Sequence, residues 1–233
     1  MRLEDLNWID VESYLQHEDR LMLVLGACEQ HGYLSLTTDV RIPLALADAA
    51  SKRTGVLVAP PVPFGLSPYF TSYPGTISLR TQTYLLLIED ILRELERQGF
   101  RKVLVLNGHG GNFPAMAVLE ELMTSLPGLR LGWYSWFEAP RAQAAAEKHG
   151  LRLDHANWSE AFSFTQVAPL PPGEKAPIDL KIRLDPGTLR RALGDGVFSG
   201  KYQATPEAMD ALFSAALEDV MAELEQLVEP APD

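Results

Sequence analysis

The sequence has a single cysteine and no apolar run long enough to cross a membrane. Cys28 alone cannot form an internal disulfide, which excludes a disulfide framework. A membrane-spanning helix needs about 20 consecutive apolar residues, and no run approaches that length. The amino-terminal segment M-R-L-E-D-L-N-W-I-D mixes acidic with apolar residues and lacks the apolar stretch of a signal peptide. We therefore expect a cytoplasmic protein with no membrane partner.

Lys/Arg-rich runs are also absent. The chain carries 31 Asp and Glu against 20 Lys and Arg, so its formal net charge is -11. Nucleic acids and anionic membranes bind basic patches, so this balance predicts no nucleic-acid partner. The composition, 46% hydrophobic and 22% charged, is typical of a globular core. A length of 233 residues predicts one α/β domain over residues 1–233.

Short apolar runs alternate with amphipathic runs of helical length. The predicted strands are 21–27, 56–60, 102–106 and 129–136, and the predicted helices are 42–53, 81–99, 114–126, 140–150 and 206–228, with another beginning within 154–160. Thr81 is the expected N-cap of the clearest helix, and Gly99 the residue that ends it. The Pro/Gly-rich segment 168–204 is expected to be irregular. This alternation predicts parallel βαβ units and a sheet covered on both faces.

Two unusual polar segments directly follow predicted strands. C-E-Q-H-G begins at Cys28, and N-G-H-G-G-N spans 107–112. Ligands of parallel sheets bind at the carboxyl ends of the strands, so both segments belong to one candidate site.

Glu29 and His31 lie two residues apart. In an extended backbone their side chains point the same way and would converge; the alternative is a solvent-facing pair at a strand end. Asp39 is either a further ligand or the N-cap of the next helix, with Thr38 as a competing cap.

His109 is surrounded by three glycines, which allow a tight backbone path into a crowded cavity. The alternative is a phosphate-binding loop, but neither G-x-G-x-x-G nor G-x-x-x-x-G-K-[ST] is present. His155 and Glu160, if helical, would point about 140° apart and could flank a cavity; the alternative is an exposed, solvated pair.

Together these segments supply three carboxylates and two imidazoles, from Glu29, His31, Asp39, His109 and Glu160. Such ligands suit Zn²⁺, Mn²⁺ or Fe²⁺. Five ligands exceed the number that one catalytic zinc uses, so we predict two divalent ions with one bridging carboxylate. A pair of ions can polarise a carbonyl and generate hydroxide near neutral pH.

The chain resembles the creatininase family of metal-dependent amidohydrolases. The similar segments are E-Q-H-G with the following T-D (29–39), P-G-T-I-S-L (74–79), N-G-H-G-G-N (107–112) and H-A-x-x-x-E (155–160), with weaker likeness over 194–207. The resemblance implies a three-layer α/β/α fold with a mostly parallel sheet. It also implies hydrolysis of C–N bonds in cyclic amides, formamides or peptide-like substrates at a dinuclear centre.

The resemblance further implies a role for each residue. Glu29 and His109 match ligands of one metal, His31 and Glu160 match ligands of the other, and Asp39 matches the bridging carboxylate. His155 matches a proton-transfer group that protonates the leaving nitrogen or stabilises the oxyanion. Related proteins are commonly homo-oligomers, so we expect a homo-oligomer.

The chain departs from the family beside the expected pocket. It reads G-Y-L-S-L-T-T-D where the family usually reads G-P-H-L-P-L-x-T-D, and it has Phe70 where the family has a histidine. The E-T-S that commonly ends the last motif becomes Glu160-Ala161-Phe162. These changes replace polar with apolar groups and argue against creatinine as the substrate. We expect Phe70, Tyr73 and Trp136 to contact the substrate, although core packing is the alternative for Trp136.

These observations predict a hydrolase that cleaves the C–N bond of a small-molecule amide. Deformylation of a nucleotide-derived formamide and cleavage of a short peptide are alternatives on the same metals. A non-catalytic metal- or ligand-binding protein is the alternative from a different class.

Overall fold

Four parallel strands form the central sheet in the computed structural model, which describes residues 1–178 and 183–228. The strands are β1 (Arg20–Leu25), β2 (Leu57–Val58), β3 (Lys102–Asn107) and β4 (Arg130–Ser135). Their order is β2-β1-β3-β4, and every neighbouring pair is parallel. All four strands match predicted ones.

The described residues also form seven α-helices. They are α1 (Trp8–Leu15), α2 (Thr38–Thr54), α3 (Thr81–Gln98), α4 (Ala115–Ser125), α5 (Pro140–Lys148), α6 (Pro186–Leu193) and α7 (Pro206–Gln226). A small antiparallel ladder joins β5 (Glu174–Lys175) to β6 (Gly200–Lys201). Within the described ranges, no helix combines the length and the apolar character needed to cross a membrane.

Each face of the sheet packs against its own set of helices. Met22 and Val24 of β1 contact the cluster formed with α2, α5 and α7, whereas Leu21 and Leu23 contact the cluster formed with α3 and α4. These strand residues are at most 1% exposed. A strand buried on both faces needs apolar residues throughout, which explains the continuous runs in the sequence. The predicted three-layer α/β/α fold is confirmed.

The prediction for α3 was correct at the carboxyl end of the helix and wrong at its amino end. Gly99 ends the helix in the left-handed region, with φ of 113°, as predicted. The N-cap is Arg80, and Thr81 is already the first helical residue, so the predicted cap was wrong.

The prediction of a helix that begins within 154–160 is wrong. This segment is a loop that closes in a single 3-10 turn, Trp158–Glu160. The Asn157 side chain accepts hydrogen bonds from the Ser159 backbone and hydroxyl, and Glu160 Oε2 accepts one from the Ala156 N–H at 2.6 Å. Because these side-chain acceptors satisfy the backbone locally, they compete successfully with a helical ladder.

Segment 168–204 was expected to be irregular, and its described part contains the β5–β6 ladder and α6 instead; residues 179–182 lie outside the described residues. Asp185 caps α6 by accepting a hydrogen bond from the Thr188 N–H at 3.0 Å, and Pro186 is its first residue. Leu189 and Leu193 of this helix pack against Phe70 and Tyr73 in a third apolar cluster. The Asp-Pro start was therefore a usable helix signal.

Candidate metal centre

The candidate site lies at the carboxyl edge of the sheet, where β1 and β3 end. Glu29 and His31 follow β1, and His109 follows β3. The two strand ends are joined by a hydrogen bond from the Gly108 N–H to the Leu25 carbonyl at 2.9 Å. Asp39 lies in the first turn of α2, whose N-cap is Thr37, so neither Asp39 nor Thr38 is the cap.

Asp39 lies between two histidines. Its Oδ1 is 2.9 Å from His31 Nε2, and its Oδ2 is 2.9 Å from His109 Nδ1. Glu29 Oε2 lies 3.6 Å from His109 Nε2, and Glu160 Oε2 lies 3.7 Å from His31 Nε2. All five residues are buried. The solvent-facing alternatives for Glu29, His31 and Glu160 are therefore wrong.

The five residues form two groups of potential ligands that share Asp39. One group is Glu29, Asp39 and His109, and the other is His31, Asp39 and Glu160; in each, the ligand atoms lie within 4.8 Å of one another. A third such group combines Glu29 and His31 with His155. Three buried atoms of the cluster have no hydrogen-bond partner in the described structure, namely Glu29 Oε2, His31 Nε2 and Asp39 Oδ2. Buried, unpaired polar atoms are costly, so this donor set fits bound cations.

The histidine contacts fit the same conclusion. His31 Nδ1 is 3.0 Å from the Glu29 carbonyl, and His109 Nε2 is 2.9 Å from the Leu66 carbonyl. A carbonyl oxygen can only accept, so these nitrogens carry a proton in either charge state of the ring. The opposite nitrogens face Asp39, and after loss of their proton they would offer lone pairs to a cation. This is the usual arrangement of histidines that bind metals.

Burial and mutual charge shift the pKa values within the cluster. Burial raises the pKa of Glu29 to about 7 and that of Glu160 to about 7. Burial also acts to lower the pKa of His109, but Asp39 and Glu29 outweigh it and raise the pKa to about 9. The pKa of His31 is likewise well above its usual value because Asp39 and Glu160 outweigh its burial. Burial opposes ionisation of Asp39, yet the two histidines bring its pKa below the usual value.

His155 lies next to this cluster, and its pKa is shifted in the direction opposite to those of His31 and His109. Its ring stacks on Phe70 at a centroid distance of 4.8 Å and an interplanar angle of 11°, and its Nδ1 lies 3.8 Å from Glu29 Oε1. Burial, followed by the charge of His31, lowers the pKa of His155 well below its usual value. This shift favours the neutral form of His155, which can donate a hydrogen bond from one ring nitrogen and accept one at the other.

A cavity of about 440 Å³ opens onto the cluster. Glu29, Asp39, His109, His155 and Glu160 line it together with aromatic side chains, which are Tyr69, Phe70, Trp136, Phe137 and Phe198. Tyr73 does not line this cavity; it packs behind Phe70, with the Arg190 guanidinium 5.5 Å from its ring centroid. The structure thus brings Phe70 and Trp136, but not Tyr73, to the cavity.

Sequence reasoning missed three residues of this site. Ser67 Oγ lies 3.3 Å from His109 Nε2, the Phe198 ring is 5.0 Å from that of His155, and Gln30 Nε2 lies 2.9 Å from His155 Nε2. In an extended segment, Gln30 would point to the side opposite to Glu29 and His31, so alternation gave no signal for it. Ser67 and Phe198 had no local signal either. Cys28 is half-buried, and its thiol donates to the Gly75 carbonyl at 3.3 Å.

The fold and the site define an α/β/α protein with a buried carboxylate and imidazole cluster at the carboxyl edge of a parallel sheet. The creatininase family model, described as creatinine amidohydrolase, matches residues 4–224 of this chain. The chain belongs to the creatininase family.

Two curated relatives match part of the chain. Creatinine amidohydrolase from Pseudomonas putida is 35% identical over 133 residues, which cover 54% of this chain and 50% of that protein. Mycofactocin precursor peptide peptidase from Mycolicibacterium smegmatis is 37% identical over 120 residues, which cover 48% of each. The chain spans about half the length of the curated relatives it matches.

Solved structures match over almost the whole chain. A crystal structure of creatinine amidohydrolase (creatininase) has a TM-score of 0.79 at 22% identity and covers 99% of this chain and 98% of its own. Other matching creatininase structures are a mutant of Zn-Zn type, with a TM-score of 0.79 at 22% identity and 98% coverage of both chains, and a manganese form, with a TM-score of 0.77 at 23% identity and coverage of 98% and 99%. These likenesses show the shared fold.

Proposed function

We propose that this chain is a metal-dependent amidohydrolase that binds two divalent ions and cleaves the C–N bond of a small amide. The observation that carries the proposal is the pair of ligand groups that share Asp39. Membership of the creatininase family supports the reaction class. Zinc, manganese and iron are the candidate ions; the donor set suits all three, and the zinc and manganese forms of related structures support the first two.

Each residue has a proposed role. Glu29 and His109 would hold one ion, His31 and Glu160 the other, and Asp39 would bridge them. When bound, such ions polarise a carbonyl and lower the pKa of a water molecule. His155, which lines the cavity and has a lowered pKa, would donate a hydrogen bond to the oxyanion that forms at the carbonyl, or would protonate the departing nitrogen with a proton that it has first accepted from the attacking water. The aromatic walls would exclude bulk water from the reacting groups.

The cavity walls favour an uncharged substrate over a nucleotide. Among the described residues, no Lys or Arg lines the cavity. Apart from the proposed ions, a phosphate group would find no cation there, and it would meet the carboxylate of Asp154, which lies outside the proposed ligand set. A cyclic amide, a simple formamide or a small peptide-like amide fits these walls better. The similarity to a peptide peptidase makes peptide-like amides the second candidate substrate class.

A single domain over 1–233, a homo-oligomer and a cytoplasmic location remain predictions.

Metal analysis of protein purified without chelator tests the metal site. We expect about two divalent ions per chain, and Asp39→Asn should lose most of both because it weakens the carboxylate that serves the two groups. Asp210→Asn, at an exposed position of α7, is the matched control and should keep the wild-type content. A metal content of less than about one ion per chain in the wild-type protein would contradict the proposal.

Hydrolysis assays test the substrate class. Creatinine, lactams, formamides and dipeptides should be compared with the metal-loaded wild type and with Asp39→Asn. We expect turnover of at least one uncharged amide by the wild type and a loss of roughly 100-fold or more in the variant. Tight ligand binding without any turnover would instead favour the non-catalytic alternative.

A further inference from the structure

The side chain of Gln30 is held in one orientation by two backbone groups. Its Oε1 accepts a hydrogen bond from the Gly32 N–H at 3.1 Å, and its Nε2 donates to the Gly196 carbonyl at 3.0 Å. A backbone N–H can only donate and a carbonyl can only accept. These two contacts therefore fix which end of the Gln30 amide is oxygen and which is nitrogen.

This orientation determines the proton on His155. The Gln30 amide nitrogen also lies 2.9 Å from His155 Nε2. An amide nitrogen donates and does not accept, so His155 Nε2 must be the acceptor and carry no proton. The proton of the neutral ring is then on Nδ1, the nitrogen that lies 3.8 Å from Glu29 Oε1.

We propose that Gln30 is a positioning residue that holds His155 in the Nδ1–H tautomer and thereby keeps its Nδ1 a hydrogen-bond donor instead of a metal ligand. The tautomer decides between two uses of His155. With a bare Nδ1, His155 could join Glu29 and His31 as a third ligand group. With the proton on Nδ1 and Nε2 bonded to Gln30, neither nitrogen has a lone pair for a cation. The catalytic consequence rests on the proposed function; the tautomer does not.

The surrounding backbone is shaped for this contact. Gly196 adopts φ of 90°, and a Cβ at this position would overlap the Gln30 amide. Gln30 is 4% exposed, so water does not compete for its donor groups. The stacked Phe70 ring holds the plane of the His155 ring. Gly196 therefore leaves room for the amide that orients His155.

The experiment is a long-range ¹H–¹⁵N correlation spectrum of ¹⁵N-labelled, zinc-loaded protein, with the His155 signals assigned by their absence in His155→Asn. We expect a protonated Nδ1 and an unprotonated Nε2 in the wild type. Gln30→Met, which fills similar volume without a donor, should shift His155 to a mixture of tautomers or to Nε2–H. Gly196→Ala, which displaces the amide without replacing it, should have the same effect. A wild-type His155 with its proton on Nε2, or an unchanged tautomer in Gln30→Met, would overturn the proposal.

Kinetics provide a second measurement. We expect Gln30→Met to lower kcat by about 10- to 100-fold while KM and metal content stay near wild type. Gln98→Met, at an exposed position near the end of α3, is the control and should change neither. An unchanged kcat in Gln30→Met would also contradict the proposal. If the wild type hydrolyses no amide, the proposed function fails, and the NMR result alone decides the role of Gln30.

Discussion

At the scale of single residues, Asp39 serves both ligand groups because its two oxygens face different histidines. This geometry requires the first turn of α2 to approach the ends of β1 and β3 closely. A Cβ at Gly26 or Gly108 would fall well inside van der Waals contact of the Asp39 carbonyl oxygen. Glycine at both positions is therefore a packing requirement of the site.

The glycines of N-G-H-G-G-N differ in this respect, and that difference is testable. Gly108→Ala should lower the free energy of unfolding by roughly 1–3 kcal/mol or more, because the new Cβ meets rigid backbone. Gly110→Ala in the same segment should change it by about 0.5 kcal/mol or less, because its Cβ would meet nothing within 4 Å. Urea denaturation of both variants measures the difference. Equal losses of unfolding free energy in the two variants would contradict the open space found around Gly110.

At the scale of elements, α3 shows how a surface helix is stabilised by one face. Tyr84, Ile88 and Leu92 are buried against the sheet, and Leu86 on the same helix is 52% exposed. The buried residues recur at intervals of four, as expected for a helix with one apolar stripe. Tertiary packing of this stripe, more than intrinsic propensity, keeps such a helix folded.

Leu92→Ala and Leu86→Ala make a matched pair on α3. Leu92 is fully buried, so its truncation should cost about 2–5 kcal/mol in the free energy of unfolding. Leu86→Ala should cost less than about 1 kcal/mol, since much of its side chain already contacts water. Thermal and urea unfolding measure both values. Comparable losses would mean that α3 packs differently from the arrangement described.

The elements also differ in how far their sequences predict them. The strands and the long helices were predicted because burial of one or both faces leaves a regular apolar pattern. The segment 154–160 failed because Asn157 and Glu160 satisfy the backbone with side-chain hydrogen bonds, which a periodicity does not reveal. Helices α1 and α6, of eight residues each, are too short for a clear period.

At the scale of the whole molecule, three buried carboxylates share one site in a chain that already carries a net charge of -11. In metal-free protein this concentration of charge is relieved only by protonation. Bound cations would relieve it instead and would stabilise the folded state by mass action. Stability should therefore depend on both metal and pH.

Metal-free protein should lose stability as pH rises from about 6.5 to 9. The pKa of His109 is raised to about 9 and that of His31 is also raised, so both bind protons more tightly in the folded state and lose this stabilisation in that range. Glu29 and Glu160, with pKa values of about 7, contribute with the same sign at the lower end. His155 has a lowered pKa and opposes this trend only below its unfolded value of 6.5.

The measurement is the Tm of chelator-treated protein at several pH values across this range. Reloading with Zn²⁺ or Mn²⁺ should raise the Tm and remove or reverse the fall, because metal ligands bind in their deprotonated form. Asp39→Asn should not respond to reloading. A Tm of chelated wild type that rises with pH would contradict the electrostatics of the cluster.

The sequence by itself determined the α/β class, the order of the long elements and the segments that converge, because burial and strand ends leave local patterns in the chain. The tertiary structure alone decided that Asp39 faces two histidines, that Tyr73 lies behind Phe70, and that Gln30 faces His155. Those facts depend on groups that approach from distant parts of the chain, such as Gly196 and Leu66, and no local pattern encodes such distances.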